Sequence, residues 1–225
     1  MRLGLVWVVW GALLAGAASA STLEQLSTVE LNRGIKAVLE QSARQAVTSL
    51  ARPGAFSGER RFPLPESIER SRAQLLSMGR ARQLDELDRG MRLAAEQALP
   101  RLGPALQDSI RELVIYDSRG LVRSGGASLS RYFQSRSDAV LRLRLQAILK
   151  PIVERDNLVR PYQALREKAL PLSLAPEAPP TLEQYLAGRL LEAVYLSMAE
   201  HERRLRAVPA SAGNEAARKI LSVAF

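Results

Sequence analysis

Apolar residues recur at intervals of three and four along almost the whole of this 225-residue chain, and this spacing constrains the fold most strongly. An early instance is Leu31, Ile35, Val38 and Leu39, which share one side of a helix. Similar stripes continue as far as Ile220, and a single segment suggests β-strands. The sequence therefore predicts an all-α fold, a single compact domain of about eight helices.

Two capping boxes mark the best-defined helix starts. Ser27-Thr28-Val29-Glu30 opens a helix that should end near Arg52-Pro53-Gly54, and Thr181-Leu182-Glu183-Gln184 opens one that runs through Leu205. After the first of these helices we expect a packed loop at 53–65, because prolines and glycines there forbid regular structure. Its apolar anchors are Phe56, Phe62 and Leu64.

Proline, glycine and capping residues bound the remaining helices. The first is expected from Pro65 or Glu66 to Gly79 with Ile68, Leu75, Leu76 and Met78 inward, the second runs from Ala81 to Leu99 and is closed by Pro100, and the third starts at Pro104 with Leu106, Ile110, Leu113 and Val114 inward. A short helix is expected around Leu129, Tyr132 and Phe133, and a long one starts at Ser137 or Asp138 and is kinked or divided at Pro151. The last two are a brief helix after Pro161 with Tyr162 and Leu165 inward and a helix from Asn214 to Val223. The segment 171–180 contains four prolines and is predicted to be a linker or surface loop before the two C-terminal helices.

The segment from Leu113 to Gly126 permits two interpretations. Two β-branched runs around Asp117-Ser118-Arg119-Gly120 are typical of a hairpin. Asp117 as an N-cap and Gly125-Gly126 as a stop are typical of a short helix. We favour the helix, because an isolated hairpin is marginally stable in water.

The first twenty residues differ from the rest and are typical of a signal peptide. Arg2 precedes an uncharged apolar run at 3–14, and Ala18-Ser19-Ala20 forms an A-x-A cleavage site. Small residues from Ala15 onward favour cleavage over an uncleaved membrane anchor. The sequence thus predicts a periplasmic or secreted protein whose mature domain is residues 21–225.

Composition narrows the choice of partners. The chain has no cysteine, which excludes lipid attachment through a cysteine, a disulfide scaffold and thiolate chemistry. Its formal net charge is +9, yet its arginines are scattered among acids and only 5% of its residues are aromatic, which argues against nucleic acid. The remaining candidates are an envelope protein, an anionic lipid surface and a small apolar ligand.

No motif in the sequence requires a particular reaction, cofactor or metal. His201 is the sole histidine and lies in a charged helical segment, which is typical of a solvated surface side chain. Glu96, Asp117, Glu192 and Glu202 are acids from which the carboxylate pair of an envelope hydrolase could be drawn. We favour a non-enzymatic binding or interaction module of the cell envelope. The alternatives are that hydrolase and a binder of anionic polymer or membrane surfaces.

Short motifs that cover nearly the whole mature chain in order are Leu26-Ser27, Gly34-Ile35-Lys36, Gly54-Ala55-Phe56, Phe62-Pro63-Leu64-Pro65, Met91 with Ala94-Ala95-Glu96, Asp117, Gly120-Leu121, Gly125, Tyr132-Phe133, Pro151-Ile152-Val153, Tyr185, Glu202, Leu205-Arg206, Pro209 and Ile220-Leu221-Ser222-Val223-Ala224-Phe225. Together they resemble the bacterial family catalogued as domain of unknown function 4197. The resemblance implies an all-α fold and no particular function. The family's usual Met-Asn-Arg-Ala-Ala-Glu differs here at Arg92 and Leu93, which removes an asparagine.

Five polar residues stand in these motifs and are not obvious core positions: Glu96, Asp117, Tyr132, Glu202 and Arg206. If a pocket lies between helices, we expect these side chains to line it. The structural alternatives are that Asp117 caps a helix, that Tyr132 belongs to the core, and that Glu96 and Arg206 are partners in an ion pair. A buried acid that faces Arg206 favours the pocket.

Overall fold

The computed structural model describes residues 23–58, 61–169 and 180–223. The predicted signal peptide at 1–20, and all but the last residue of the predicted loop at 171–180, lie outside these residues. Within them the chain forms α-helices and short 3-10 segments, and no strand. The helices are Thr28–Leu50 (α1), Glu66–Arg70 (α2), Arg72–Ser77 (α3), Ala81–Arg111 (α4), Ser118–Arg123 (α5), Ser128–Arg155 (α6), Val159–Ala169 (α7), Leu182–Ala207 (α8) and Glu215–Leu221 (α9), and the 3-10 segments include Leu23–Gln25 and Pro209–Ser211.

The four longest helices, α1, α4, α6 and α8, form an up-down-up-down bundle. Each packs against the next, and α8 closes the ring by packing against α1. Contacts near both ends show that α1 and α4 run antiparallel: the Lys36 ammonium donates to the Arg111 carbonyl, and the Gly54 amide donates to the Glu96 carboxylate. The bundle encloses the predicted apolar core and confirms the all-α fold.

The shorter helices cover the sides of this bundle. Helix α9 packs against α1, and α5 lies against α1 and α6. Helix α7 packs against α4 and also contacts α2 and α3. No helix in the described part of the chain is long and apolar enough to cross a membrane.

Local capping signals confirm several predicted boundaries. Both capping boxes are formed, by Ser27 with Glu30 and by Thr181 with Gln184. The Asp117 side chain accepts from an amide of the first turn of α5, and the predicted helix is therefore present in place of a hairpin. The loop anchors predicted for 53–65 are all buried, and the rings of Phe56 and Phe62 stack with their centroids 4.3 Å apart.

The prediction that Pro100 ends one helix and Pro104 starts another was wrong, because α4 is continuous from Ala81 to Arg111. Both prolines are exposed, whereas Leu99, Leu102 and Leu106 remain fully buried. Each proline removes one backbone hydrogen bond on the solvent side. The buried leucines hold the helix together through both positions.

The predicted break inside α6 was also wrong. Ser137 lies in the middle of the helix, and its hydroxyl donates to the Phe133 carbonyl one turn earlier instead of capping a new helix. Asp138 binds Arg142, one turn later. Pro151 lies within the same helix and does not divide it.

Some side chains that were predicted to point inward are exposed. Leu76 and Met78 are about half exposed, because the single helix predicted from Pro65 or Glu66 is broken at Ser71 into α2 and α3. The Ser71 hydroxyl donates to the Ala169 carbonyl of α7 at that break. Val114 is 61% exposed, because α4 ends at Arg111 and the chain continues without helical structure.

Glu30 joins the start of α1 to α9, and its replacement by glutamine should remove part of the acid sensitivity of the fold. Hydrogen bonds from the Lys219 ammonium and from Ser27 lower the pKa of Glu30 from 4.5 to about 2. A lowered folded-state pKa stabilises the protein above about pH 4.5, and this contribution is lost as the pH falls towards about 2. Urea unfolding should therefore show Glu30→Gln less stable than wild type near neutral pH and equally stable near pH 2.

The companion variant Lys219→Gln removes the largest cause of the lowered pKa. We expect this variant to narrow the pH range over which ionised Glu30 stabilises the folded protein. An unchanged acid-unfolding profile in both variants would contradict the assignment.

Candidate functional site

The carboxylate of Glu202 is the one charged group among the fully buried side chains of the described residues. Its Oε1 atom accepts from the Leu129 amide and from Nε of Arg206, both at 3.1 Å. Its Oε2 atom accepts from the amide and the hydroxyl of Ser130, at 2.8 and 2.7 Å. Four hydrogen bonds therefore satisfy both oxygens of a buried charge.

Arg206 lies one helical turn after Glu202 and extends the same network. Its Nη2 atom is 3.0 Å from the Glu202 carboxylate and 3.2 Å from the Ser128 hydroxyl. Its Nη1 atom donates to the Val122 carbonyl of α5 at 3.2 Å. This pair, which we term the Glu202–Arg206 clamp, joins α5, α6 and α8.

The clamp also caps α6. The N-cap residue of this helix is Ala127, whose side chain has no hydrogen-bond acceptor, and Leu129 and Ser130 carry amides of the first turn. Such amides have no partner within their own helix. Glu202 reaches them from α8, and its negative charge suits the positive end of the α6 dipole. A buried acid does face Arg206, but its oxygens are occupied by the protein itself.

Glu96 and Asp117 each bind a nearby backbone amide. Glu96 accepts from the Gly54 amide at 2.9 Å and thereby holds the start of the 53–65 loop against α4. Asp117 accepts from the Gly120 amide at 2.8 Å and caps α5. The two carboxylates therefore stabilise the start of the 53–65 loop and the start of α5.

Tyr132 lies beside the segment that connects α4 to α5. Its hydroxyl donates to the Val114 carbonyl at 2.8 Å, and its ring is half-buried. The guanidinium of Arg136 lies 5.8 Å from the centre of this ring and 5.1 Å from that of Tyr116. Tyr132 thus positions a surface segment that carries a second, exposed tyrosine.

The structure brings together two of the five predicted site residues, Glu202 and Arg206. Among the described residues, no hydrogen bond or ion pair joins Glu96, Asp117 or Tyr132 to the clamp. The five side chains do not form one polar cluster.

The four acids named for a carboxylate pair each have a partner of their own. Glu192 pairs with Arg189 at 2.9 Å, and the other three acids named with it have the separate partners described above. His201 is partly buried, and burial together with Arg204 lowers its pKa. No group of three or more potential metal ligands occurs within 23–58, 61–169 and 180–223.

A groove of about 690 Å³ lies between the 61–70 segment and α8. Its wall includes Tyr185, whose hydroxyl donates to the Pro63 carbonyl at 2.6 Å and whose pKa is raised mainly by burial. Arg142 reaches across Gly188, where a Cβ atom would lie 2.7 Å from the guanidinium. None of the five predicted residues lines this groove.

A surface that the sequence analysis missed is formed by exposed apolar side chains on and beside α6. We term it the α6 outer face and define it by Val114, Tyr116, Val140, Leu143 and Ala147. The exposed fractions of the first four side chains are 61% for Val114, 77% for Tyr116, 50% for Val140 and 67% for Leu143. The signal was present in the sequence, because positions 140 and 143 fall on the side of the helix opposite the buried stripe. When both sides of a helix carry apolar residues, the outward ones are easily overlooked beside the inward stripe.

A family model described as "Protein of unknown function (DUF4197)" matches residues 25–222. No curated protein and no solved structure matches the chain.

Proposed function

The chain belongs to the family of proteins of unknown function DUF4197, and we propose that it is an exported, non-enzymatic binding protein of the cell envelope. The observation that carries this proposal is the α6 outer face. A helix at the surface of a bundle ordinarily presents polar side chains to water. Here Val140 and Leu143 are exposed on the outward side of the long helix α6, near its middle.

The hydrogen bonds of the acids that stand in the family-like motifs support a binding role over catalysis. A general acid, base or nucleophile needs a free atom that faces a substrate. Both oxygens of Glu202 are bound by main-chain and side-chain donors, and the carboxylates of Glu96 and Asp117 hold backbone amides. These acids stabilise the fold.

Export is supported by the sequence of the first twenty residues. A basic residue, an uncharged apolar run and the Ala18-Ser19-Ala20 site follow one another in the order of a secretory signal. The described domain has no cysteine and relies on its core and its buried polar network for stability. A fold of this kind does not depend on the redox state of its compartment.

Fractionation of cells that produce the full-length chain tests both parts of the proposal. We expect the protein in the envelope fraction with the mass of residues 21–225, because the signal is removed after Ala20. Leu143→Asp should release it into the soluble periplasmic fraction, because a charge in the centre of the α6 outer face disrupts an apolar contact.

Val29→Asp is the matched control, because Val29 and Leu143 are both 67% exposed and Val29 lies on α1. It should leave the distribution of the protein unchanged. An unprocessed chain in the cytoplasm would overturn export. Equal distributions of wild type and Leu143→Asp would overturn binding through this face.

A further inference from the structure

The α6 outer face has the shape of a stripe. Val140, Leu143 and Ala147 are spaced by three and four residues and therefore lie in a row on one side of the helix. Leu141 and Leu145, on the opposite side, are fully buried. The stripe thus faces away from the bundle along the middle of α6.

Two side chains from another segment widen this stripe. Val114 and Tyr116 lie between α4 and α5 and, with Val140, line a shallow groove of about 350 Å³. Tyr116 is the most exposed of them, at 77%. Tyrosine has an apolar ring and a polar tip, and such side chains favour the boundary between apolar and aqueous phases.

Cations without ion-pair partners flank the stripe. Arg136, Arg144 and Lys150 are exposed, and none of them forms an ion pair with a described residue. Arg142 on the same helix is instead neutralised by Asp138 at 2.8 Å. Glu112 is the one acid that lines the groove. Glu154 and Glu183 line a second groove together with Lys150. Positive charge without an ion-pair partner among the described residues therefore borders the apolar stripe most clearly at Arg136 and Arg144.

These cations are too widely spaced for a small anion. Arg136 and Lys150 are separated by about 21 Å along the helix axis, at about 1.5 Å per residue. Their partner must therefore be negatively charged over a comparable length and apolar between the charges. A bilayer that contains anionic lipids has both properties, because its headgroups are charged and its acyl region is apolar.

The number of apolar side chains also favours a lipid surface over a protein. A stable interface between two proteins takes about 20–30 residues from each partner. The α6 outer face has five apolar residues and a fringe of cations. Shallow insertion of a few side chains together with charge attraction is instead the usual mode of peripheral membrane binding.

We propose that the α6 outer face binds the surface of a bilayer that contains anionic phospholipid. Leu143 and Tyr116 enter the boundary between headgroups and acyl chains, and Arg136, Arg144 and Lys150 contact the phosphate groups. This inference rests on the proposed binding function of the same face and names its partner.

Co-sedimentation of the purified mature protein with vesicles tests the inference. We expect binding to vesicles of phosphatidylglycerol and phosphatidylcholine in equal parts, and little binding to phosphatidylcholine alone. Arg144→Gln and Lys150→Gln should each lower the partition coefficient about fivefold. Leu143→Asp should lower it at least about tenfold, because it removes the inserted apolar group and adds a negative charge. Added salt should weaken binding by the wild type.

Val29→Asp again serves as the control, and it should bind as the wild type does. Circular dichroism melting of each variant should match the wild type, because all the replaced side chains are exposed. Equal binding to both kinds of vesicle, or no effect of Leu143→Asp, would overturn the lipid inference. If vesicles fail to bind while Leu143→Asp still releases the protein from the cell envelope, the partner is a protein or a polymer. In that case the proposed function stands and the lipid inference falls.

Discussion

Replacing Glu202 with alanine should lower the free energy of unfolding by about 3–5 kcal/mol, which is the usual cost of breaking a buried ion pair by removing one partner. The Glu202 carboxylate is fully buried and accepts four hydrogen bonds. Its loss leaves the Arg206 guanidinium without its ion-pair partner, with 14% of that side chain exposed. It also leaves the first-turn amides of α6 without acceptors.

Urea unfolding followed by circular dichroism measures this loss. Glu200→Ala is the matched control, because Glu200 lies on the same helix, is exposed and should cost less than about 0.5 kcal/mol. Hydrogen exchange should locate the effect, since the amides of Leu129 and Ser130 should exchange faster in Glu202→Ala. A variant as stable as the control would show that the clamp does not hold α6.

Replacing Gly34 with alanine should destabilise the protein by about 1–3 kcal/mol, although alanine is the better helix former by about 1 kcal/mol. Helix α9 packs against α1 at this glycine. A Cβ atom there would lie 2.5 Å from Cγ2 of Ile220 and 2.7 Å from the Ala216 carbonyl oxygen. Because one of these neighbours is backbone, α9 as a whole must move away.

Gly188→Ala provides the comparison in α8. A Cβ atom at that position meets only the guanidinium of Arg142, which can move aside. We therefore expect Gly188→Ala to be neutral or slightly stabilising, by up to about 1 kcal/mol. Thermal melting of both variants should move the transition temperature in different directions. Equal stabilisation by both substitutions would mean that α9 does not pack tightly at Gly34.

Signals that act within one helical turn could be predicted from the sequence. The capping boxes at Ser27 and Thr181 and the cap by Asp117 each join residues three apart. The four-residue spacing of Glu202 and Arg206 likewise permits an ion pair on one helix. In these cases the partners are close in the sequence, and the local geometry of a helix determines the contact.

Contacts between distant segments could not be predicted in the same way. The amides that Glu202 binds lie 72 and 73 residues earlier in the chain. The continuity of α4 through Pro100 depends on the burial of Leu99 and Leu102 by neighbouring helices. Local proline rules are overridden there by tertiary packing. The exposure of Leu143 likewise depends on which side of α6 the other helices cover.

The first helix of the bundle, α1, packs against the last helices of the chain, α8 and α9. This order has a consequence for biosynthesis. Helix α1 packs most extensively against α8, α4 and α9, of which α8 and α9 are made last. While the ribosome has yet to synthesise the residues after 181, much of the buried side of α1 has no cover. Domains reach their native packing only when all their elements are available. We expect a chain with this topology to stay incompletely folded until translation ends, which is compatible with the proposed export of the protein across a membrane before it folds.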